Sequence, residues 1–312
     1  MNIKIVFVGT SDFGIPSLRA LKESRDVDIK LVITREDKPK GRGLEILPPP
    51  IKIEAGNLGI DILQPPSIND DETIQRIKSI RPDYIVVVAY GEKLSTEVLS
   101  LPKKGSINLH ASLLPELRGA APINWAIIRG YKKTGVTTML MSEKIDAGEI
   151  LLQCETNISA DENAEMLHNR LSHIGADILP STIIGHFKGR IKPRPQEIER
   201  VSYAPKILKE HCKINWEETD GIIHNLIRGL SPKPLAFTYL DDILVKIVKS
   251  RLSDAEKSGE PGEILNITKE GALVSTGARP ILVTELQIAG KRIMTPYQLL
   301  QGRQIKSGQR FY

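Results

Sequence analysis

The sequence predicts an α/β protein in which a domain with a mostly parallel sheet precedes a smaller β-rich domain. In the first part of the chain, short apolar strands alternate with helical segments, which is typical of a parallel sheet covered by helices. Toward the C-terminus, short strands follow one another with turn residues between them, which is typical of a small barrel. At 312 residues the chain is long enough for both domains. We therefore expect a Rossmann-like N-terminal domain and an OB-like C-terminal barrel.

The composition is that of an ordinary globular protein without a membrane segment. Hydrophobic residues make up 40% of the chain and charged residues 26%. No apolar run approaches the roughly 20 residues that span a bilayer, and the first residues enter a strand pattern directly. We expect a cytoplasmic protein that makes no contact with membranes.

Metal chemistry has no support in the sequence. The two cysteines, Cys154 and Cys212, lie far apart and form no paired motif, and the six histidines are scattered. The net charge of +5 is mildly basic, which is compatible with an anionic partner without identifying one. The composition therefore predicts no metal site, and it suits a reducing compartment.

The N-terminal segment predicts a Rossmann-like turn that lacks phosphate-binding chemistry. Lys4–Val8 is a short apolar strand, and Gly9–Gly14 leads from it into a helix that reaches about Glu23. A phosphate loop would need Lys-Ser or Lys-Thr where Ile15 and Pro16 stand, and a dinucleotide site would need GxGxxG. The segment thus argues against a nicotinamide oxidoreductase, one of the alternatives that the fold class allows.

The next elements continue the alternation of strands and helices. Asp83–Ala89 contains the apolar run Ile85–Val88 and predicts a central strand buried on both faces. The remaining predictions in this part are strands at 29–34 and 60–63 and a helix at 70–80. Together with the first strand, they predict a doubly wound sheet.

A long segment rich in proline and glycine, Arg35–Pro50, follows the second strand. It is locally basic, because Arg35, Lys38, Lys40 and Arg42 stand against three acidic residues. One interpretation is a solvated connector. The other is a functional loop, since loops this long are uncommon in compact domains unless they are functional or disordered. Glycines on both sides of Arg42 leave that side chain free to be directed.

The stretch Ser106–Pro122 holds the strongest candidate site. If Ile107–Ala111 is a strand, Asn108 and His110 share one face while apolar residues occupy the other. Polar side chains on a buried strand are costly unless they are satisfied or used, and the carboxyl ends of strands are where open α/β sheets bind ligands. Asn-x-His alone is also compatible with two ordinary satisfied polar residues, so the flanking residues decide.

A turn and a long helix follow this stretch. The predicted elements are a helix at 123–129, strands at 136–141 and 149–154, and a long helix after the capping box at 159–162. Asp146 lies in the turn between the two strands, where an aspartate by itself is ordinary turn chemistry. Pro180 is expected to kink or interrupt the long helix.

A basic, proline-containing stretch marks the domain boundary. Lys188–Pro195 has four basic residues in eight, no acidic residue and two prolines, which predicts a stiff, charged linker. We place the N-terminal domain at 1–187, the linker at 188–207 and the C-terminal domain at 208–312. For the last of these we predict a helix at 220–229, strands at 235–240, 243–249, 262–266, 272–276 and 281–287, and a helix at 296–301. This domain has 15 Lys or Arg against 12 Asp or Glu, which is a weak basis for nucleic-acid binding.

The candidate site resembles the signature of the folate-dependent formyltransferases. Asn-x-His is followed by SLLP at 112–115 and by RGAAP at 118–122, as in that family. The likeness extends to the N-terminal GTSDFG, the loop TREDKPKGRG, the strand VVVAYG and the later DAG at 146–148. It covers most of the chain. The resemblance implies an enzyme that moves a formyl group from 10-formyltetrahydrofolate to an amine.

The resemblance also implies roles for individual residues. The implied catalytic set is Asn108, His110 and Asp146. The implied folate contacts come from two short stretches, which comprise Ala89, Tyr90 and Gly91 and then Ser112, Leu113, Leu114 and Pro115. The implied acceptor is initiator methionyl-tRNA, bound by Arg42, by Lys206 and by the C-terminal domain. A monomer that needs no metal is expected.

Three positions depart from the family pattern. Glu116 stands where a basic residue is common, Lys233 where a tryptophan is frequent, and Ser11 where a proline is commoner. None belongs to the catalytic set.

Lys206 by itself is compatible with an ordinary exposed lysine. Two further alternatives stay open: a formyltransferase that acts on a glycinamide ribonucleotide or a sugar-nucleotide amine, and a non-catalytic RNA-binding module. The Arg42 segment and the second domain favour tRNA over the first, and the catalytic set is unexplained by the second.

Overall fold

The computed structural model of the chain describes residues 2–40 and 45–312. These residues form two compact units, each assembled from more than one stretch of the chain. Unit 1 comprises residues 1–119, 134–156 and 168–203, and unit 2 comprises residues 120–133, 157–167 and 204–312. The predicted division into 1–187, 188–207 and 208–312 follows the order of the chain, whereas the units follow its packing.

Unit 1 is built on a seven-stranded sheet with helices between the strands. Up to the candidate site its elements are β1 (Ile3–Gly9), α1 (Ile15–Glu23), β2 (Val27–Ile33), β3 (Lys38–Lys40), β4 (Glu45–Leu47), α2 (Pro50–Asn57), β5 (Ile62–Leu63), α3 (Asp71–Ile80), β6 (Tyr84–Val88), α4 (Thr96–Ser100) and β7 (Ser106–His110). After α5 (Pro122–Ile128), which belongs to unit 2, come β8 (Lys133–Leu140), β9 (Ile150–Asn157) and α6 (Ala164–Phe187).

The sheet of unit 1 is mostly parallel, as predicted. Its strands lie in the order β5-β2-β1-β6-β7-β8-β9. The pairs from β5 to β7 are parallel, and β8 is antiparallel to β7. All five residues of β6 are buried, which agrees with its continuous apolar run. Because the strand order reverses between β1 and β6, the sheet is doubly wound.

The ends of α3 follow the local sequence, whereas α6 does not. Asp70 caps α3, because its Oδ1 accepts a hydrogen bond from the Thr73 amide at 2.7 Å. At the other end Arg81 adopts a left-handed φ of 52°, and a proline follows. By contrast, α6 runs without a break past Pro180. The interruption at Pro180 is therefore absent, and the kink stays a prediction.

The segment that the sequence predicted as a loop contains a short hairpin. β3 and β4 pair antiparallel, with Pro39 opposite Ile46. The four residues between these strands, 41–44, lie outside the described part of the chain. The side chain of Ile46 is 69% exposed, and the other two residues of β4 are exposed as well. The hairpin thus presents apolar surface to solvent.

Unit 2 combines three helices with a five-stranded antiparallel sheet. Besides α5, its elements are α7 (Asp220–Gly229), β10 (Ala236–Leu240), β11 (Ile243–Leu252), β12 (Ile264–Ile267), β13 (Ala272–Val274), β14 (Ile281–Ile288) and α8 (Pro296–Gln301). The strands lie in the order β10-β11-β14-β13-β12. All the predicted strands of this domain are present, and the antiparallel sheet agrees with the predicted β-rich fold.

The last four residues of the chain join the two edge strands of this sheet. Tyr312 exchanges two backbone hydrogen bonds with Tyr239 in β10, at 2.9 and 3.1 Å. On the other side, the Ile264 amide at the start of β12 donates to the carbonyl of Gln309 at 2.8 Å. The C-terminal residues thus pair with both edge strands of the sheet.

Residues 2–40 and 45–312 contain no group of three or more His, Cys, Asp or Glu side chains that could hold a metal ion. In the same part of the chain, no helix combines the length and the apolarity that crossing a membrane requires.

Candidate active site

The carboxyl ends of β1, β6 and β7 meet where the strand order reverses. Gly9 ends β1 and is the register partner of Val88 at the end of β6. In turn, Asn108 of β7 is the register partner of Val87 in β6. An open α/β sheet binds its ligands at such a reversal. The fold therefore brings the predicted stretches at 89–91 and 108–110 to one edge of the sheet.

Asn108 presents an unused amide at this edge. The residues on the opposite face of β7, Ile107 and Leu109, are 0% and 3% exposed, as the predicted alternation requires. Asn108 itself is half-buried. Within the described residues, its side chain has no hydrogen-bond partner. A half-buried amide without a partner is costly, which favours a ligand at this position. Because they have no partner, its two N–H donors are available to a substrate.

Both imidazole nitrogens of His110 face a partner. Nε2 lies 3.0 Å from the carbonyl oxygen of Leu117. Because a carbonyl only accepts, Nε2 carries a proton and donates it to this bond. Nδ1 lies 3.6 Å from Oδ1 of Asp146. In the neutral imidazole, Nδ1 is thus the accepting nitrogen, and the carboxylate lies opposite it.

The turn that carries Asp146 is tightly constrained. Its backbone is left-handed, with φ of 51°, and its Oδ2 accepts from the Gly119 amide at 2.8 Å. Gly148 lies against β8 so closely that a Cβ would be 1.7 Å from the carbonyl oxygen of Leu140. These contacts hold the carboxylate, which is 12% exposed, against the imidazole. Of the predicted catalytic set, His110 and Asp146 are therefore in direct proximity.

A stretch outside the predicted site supports the loop after β7. The Ser202 hydroxyl accepts from the Leu117 amide at 2.9 Å, and the Ser202 carbonyl accepts from the Arg118 amide at the same distance. Leu117 is left-handed, with φ of 59°. This conformation accompanies the hydrogen bond that its carbonyl accepts from Nε2 of His110. Ser202 lies in the predicted linker, and 85 residues separate it from Leu117, so no local pattern signals its role.

Gln196 links Arg118 to the turn that carries Asp146. The sequence did not predict this role. Its Oε1 accepts from Nε and Nη2 of Arg118, at 3.1 and 2.6 Å. Its Nε2 donates to the backbone carbonyls of Asp146 and Gly148, at 2.9 and 2.7 Å. Because these partners lie 48 to 78 residues away, only the folded chain reveals them.

Glu116, a departure from the family pattern, is part of an ion pair. Its Oε1 lies 2.8 Å from Nη2 of Arg200, and this bond raises the pKa of the guanidinium. The Arg200 side chain is 58% exposed, so the pair contributes little to stability. The acidic residue thus has a local partner in unit 1.

The loop Ser112–Pro115 is held by its own hydrogen bonds. The fully buried Ser112 hydroxyl donates to the Glu116 carbonyl at 2.6 Å and is therefore occupied. Gln153 donates from Nε2 to the Leu114 carbonyl at 2.8 Å. Leu114 and Pro115 are buried, whereas Leu113 is half-buried. Leu113 consequently offers the most side-chain surface to a ligand among the four predicted folate contacts of this loop.

The stretch Ala89–Gly91 offers amides rather than carbonyls. Ala89 and Gly91 are left-handed, with φ of 48° and 87°. The Ala89 carbonyl accepts from the Thr10 amide at 3.3 Å, and the Tyr90 carbonyl accepts from the Thr10 hydroxyl at 2.9 Å. Tyr90 is 3% exposed, and burial, followed by the charge of Glu92, raises the pKa of its hydroxyl to about 12. In the described part of the chain, the amides of Tyr90 and Gly91 have no backbone partner.

Ion pairs anchor the base of the β3–β4 hairpin. Arg35 pairs with Glu92. Asp37 accepts from Nε2 of Gln64 and from Nζ of Lys52, both at 2.7 Å. These bonds, that of Gln64 first, lower the pKa of Asp37. The start of the hairpin is thereby attached to the body of unit 1.

The two predicted tRNA contacts stay predictions. Arg42 lies outside the described residues. Lys206 is an exposed residue of unit 2.

The described side chains suit group transfer through a tetrahedral intermediate. An amide donor, Asn108, can stabilise developing negative charge on oxygen. The pair of His110 and Asp146 can take up a proton. The Ser112 hydroxyl is bonded within its own loop and is not positioned as a nucleophile.

Comparisons with known families cover nearly the whole chain. The family described as "Formyl transferase" matches residues 1–183. The family described as "Formyl transferase, C-terminal domain" matches residues 206–304.

Curated relatives match over almost their full length. A methionyl-tRNA formyltransferase from Clostridium acetobutylicum is 46% identical over 98% of this chain and 98% of its own length. One from Thermodesulfovibrio yellowstonii is 45% identical, over 99% of this chain and 98% of its own. One from Bacillus subtilis is 42% identical, over 98% of this chain and 96% of its own.

Solved structures with a similar fold are more distant in sequence. An N-formyltransferase from Helicobacter canadensis, in complex with folinic acid and dTDP-3-aminofucose, has a TM-score of 0.68 at 20% identity, over 91% of this chain and 99% of that one. HypX from Aquifex aeolicus, in complex with tetrahydrofolic acid, has a TM-score of 0.63 at 19% identity; the match covers 95% of this chain and 46% of that one. A methionyl-tRNA formyltransferase from Clostridium thermocellum has a TM-score of 0.56 at 19% identity, over 81% of this chain and 94% of that one. At these identities the likeness shows the fold alone.

Proposed function

The chain belongs to the formyl transferase family, and we infer from this premise that it transfers a formyl group from 10-formyltetrahydrofolate to the α-amine of methionyl-tRNA. The observation that carries the inference is the 46% identity to a methionyl-tRNA formyltransferase over 98% of both chains. The proximity of His110 and Asp146 and the unpartnered amide of Asn108 at the end of β7 support this proposal.

The first step is attack of the free amine on the formyl carbon. The carbonyl π bond opens, a carbon–nitrogen bond forms, and the formyl oxygen becomes an oxyanion. The unpartnered amide of Asn108 donates to this oxygen. One such donor contributes ~10²–10³ in rate, because it acts where charge develops in the transition state.

The second requirement is a place for the proton that the attacking amine loses. Nε2 of His110 is committed to the Leu117 carbonyl, so Nδ1 is the nitrogen that changes its protonation. Asp146, 3.6 Å from Nδ1, stabilises the charged imidazole that results. When the bond between the formyl carbon and N10 of the folate breaks, a proton passes to N10 and tetrahydrofolate leaves. Atoms and charge then balance without a metal or a covalent enzyme intermediate.

The folate is bound at the edge of the sheet between the two predicted stretches. The free amides of Tyr90 and Gly91 donate to the pterin, and Leu113 supplies apolar contact. The buried hydrogen bonds of Ser112 and Leu114 keep the second stretch in shape. The folate carries the formyl group as a co-substrate.

Methionyl-tRNA, the substrate in the relatives' names, is bound here by basic groups. Arg42 enters the acceptor end of the initiator tRNA, and Lys206 and the C-terminal domain contact its backbone. Phosphate contacts of this kind make affinity fall steeply with salt. The enzyme works as a monomer in the cytoplasm.

The direct test is an acceptor comparison with the full-length protein. It is incubated with 10-formyltetrahydrofolate labelled in the formyl group and with charged initiator or elongator methionyl-tRNA, a glycinamide ribonucleotide or a dTDP-amino sugar. We expect label on the initiator methionyl-tRNA. Transfer to the sugar or the ribonucleotide instead of tRNA would replace the proposed acceptor, and transfer to none of them would reject the activity.

The Arg42→Ala variant tests the reading of the tRNA. A contact to base edges contributes ~1–3 kcal/mol on the cognate tRNA, whereas a phosphate contact weakens all tRNAs about equally. We expect kcat/KM to fall on initiator methionyl-tRNA and to change little on the elongator, at one ionic strength. An equal fall on both would make Arg42 a phosphate contact, and no fall would remove it from the interface.

A further inference from the structure

We propose that Gln196 is a positioning residue of the formyl transfer, one that holds the Asp146 turn so that the carboxylate faces His110. The proposal rests on the proposed function, because it concerns the same site. Gln196 lies in the stretch that the sequence predicts to be a linker, and neither its composition nor the family resemblance gives it a role.

The side-chain amide of Gln196 is saturated by the site. Oε1 accepts two hydrogen bonds from Arg118, at 3.1 and 2.6 Å, and Nε2 donates to the carbonyls of Asp146 and Gly148, at 2.9 and 2.7 Å. The amide therefore uses both donors and both acceptor sites in bonds to the two segments that flank the reacting groups. A surface residue of a connector does not need four such bonds.

The backbone conformation of the Asp146 turn requires contacts that hold it. A left-handed backbone at a non-glycine residue, here Asp146 with φ of 51°, is maintained only when the surroundings hold it. The Asp146 side chain receives one bond from the Gly119 amide at 2.8 Å. The two bonds from Gln196 fix the backbone of the same turn on either side of residue 147. Without them, the position of the carboxylate depends on the Gly119 contact and on the packing of Gly148 against β8.

Gln196 also links this turn to the loop that sets the protonation of His110. Arg118 follows Leu117, whose carbonyl accepts from Nε2 of His110 at 3.0 Å. One amide therefore connects the partner of Nε2 with the partner of Nδ1. This arrangement fixes the imidazole and the carboxylate relative to one another, and a misplacement of about 1 Å at a reacting centre costs ~10² in rate.

Two substitutions separate the possible roles of the amide. Gln196→Glu keeps an acceptor for Arg118 but cannot donate to the two carbonyls of the turn, and it places negative charge beside them. Gln196→Ala removes both interactions. If holding the turn is what matters, both variants lose kcat by about 10²-fold, while KM for folate and for methionyl-tRNA stays near the wild-type value.

The matched control is Glu199→Gln, an exposed neighbour in the same stretch. It should retain wild-type kcat and KM. Thermal unfolding is measured for all three variants, and a variant whose melting temperature drops is assayed well below that temperature. A crystal structure of Gln196→Glu gives a readout without activity, because the distance from Nδ1 of His110 to Oδ1 of Asp146 should exceed the 3.6 Å of the wild type.

Several outcomes would overturn the proposal. Normal kcat in Gln196→Glu with reduced kcat in Gln196→Ala would mean that only the bond to Arg118 matters. A change confined to KM would make Gln196 a substrate contact, and an unchanged distance between Nδ1 and Oδ1 would remove the positioning role. If the wild type transfers no formyl group to methionyl-tRNA, the proposed function fails, and the distance in the variant still tests the positioning.

Discussion

His110 in unit 1 and His224 in unit 2 are buried to the same degree and bonded in the same pattern at one nitrogen. They are 6% and 5% exposed, and Nε2 of each faces a backbone carbonyl oxygen, at 3.0 and 3.4 Å. The two differ at Nδ1. Nδ1 of His224 lies 3.0 Å from the hydroxyl of Ser250, whereas Nδ1 of His110 lies 3.6 Å from the carboxylate of Asp146.

The Nδ1 partner is the difference on which the proposed catalytic role of His110 depends. A hydroxyl can donate to Nδ1, so neutral His224 is fully satisfied, and its burial lowers its pKa. A carboxylate only accepts, so Nδ1 of His110 and Asp146 interact favourably when a proton lies between them. Burial does not distinguish the two sites. What distinguishes them is the group that faces Nδ1, a hydroxyl for His224 and a carboxylate for His110.

The largest effect expected on the His110 side is that of Asn108→Ala. Its amide has no partner in the described residues, so removing it should not lower the melting temperature, while kcat falls ~10²–10³-fold. Steady-state formylation of methionyl-tRNA and thermal unfolding measure the two quantities. The matched variant in unit 2 is Asn225→Ala, which removes an acceptor 2.9 Å from Nε of Arg228. It should lower the melting temperature and leave kcat intact. Near-normal turnover of Asn108→Ala would contradict its role.

Next in size is the effect of substituting the residue that faces Nδ1 of each histidine. Asp146→Asn keeps a side chain of similar shape but removes the charge, and we expect kcat to fall about 10²-fold. His110→Ala should lose a similar factor, and the double variant should lose little more, because the two residues act as a unit. Ser250→Ala, the corresponding change in unit 2, should leave kcat unchanged. Losses that multiply in the double variant would show that the two residues act independently.

His224→Ala should affect stability rather than turnover. It leaves the Ser250 hydroxyl without its imidazole partner in a buried site, which costs ~1–3 kcal/mol. The free energy of unfolding, from denaturant titration, should fall by that amount, while kcat at 25 °C stays near the wild-type value. A large loss of turnover without loss of stability would place His224 in the chemistry and remove the distinction.

The smallest expected effect is on the pH dependence of stability. Burial lowers the pKa of His224, and also that of His186, whose Nδ1 lies 2.8 Å from the Tyr84 hydroxyl. A lowered pKa means that the unfolded chain binds protons first as pH falls below about 6.5, so stability is complete above that pH and declines below it. The melting temperature should therefore drop between pH 7.5 and 5.5. The drop should be smaller in His224→Gln and in His186→Gln than in the wild type, since glutamine cannot titrate. A drop equal to that of the wild type in both variants would assign the effect to other groups.

Sequence reasoning succeeded where a structural rule acts over a few residues. The alternation of β7 follows from the two-residue period of a strand, and it places Asn108 and His110 on one face. The start of α3 follows from its capping aspartate, and the buried run at Ile85–Val88 from its composition. The mostly parallel sheet follows from the alternation of strands and helices.

Contacts between distant parts of the chain could not be predicted in this way. Gln196 and Ser202 lie in a stretch whose prolines and basic residues are typical of a linker, and their partners are 48 to 85 residues away. The hairpin of β3 and β4 was missed because strands of three residues are too short to show an alternating pattern. The pairing of residues 309–312 with both edges of the C-terminal sheet has no local signature either.

The assembly of unit 2 from separate stretches has a consequence during synthesis. α5 packs against α7, and about 90 residues lie between the end of one helix and the start of the other. At a translation rate of about 5–20 residues per second, α5 is made roughly 5–20 s before its partner exists. During that interval Ile128, which lies against Gly229 of α7 in the finished protein, has nothing from α7 to cover it. The nascent chain therefore passes through a period in which this apolar surface is open to aggregation or to a chaperone.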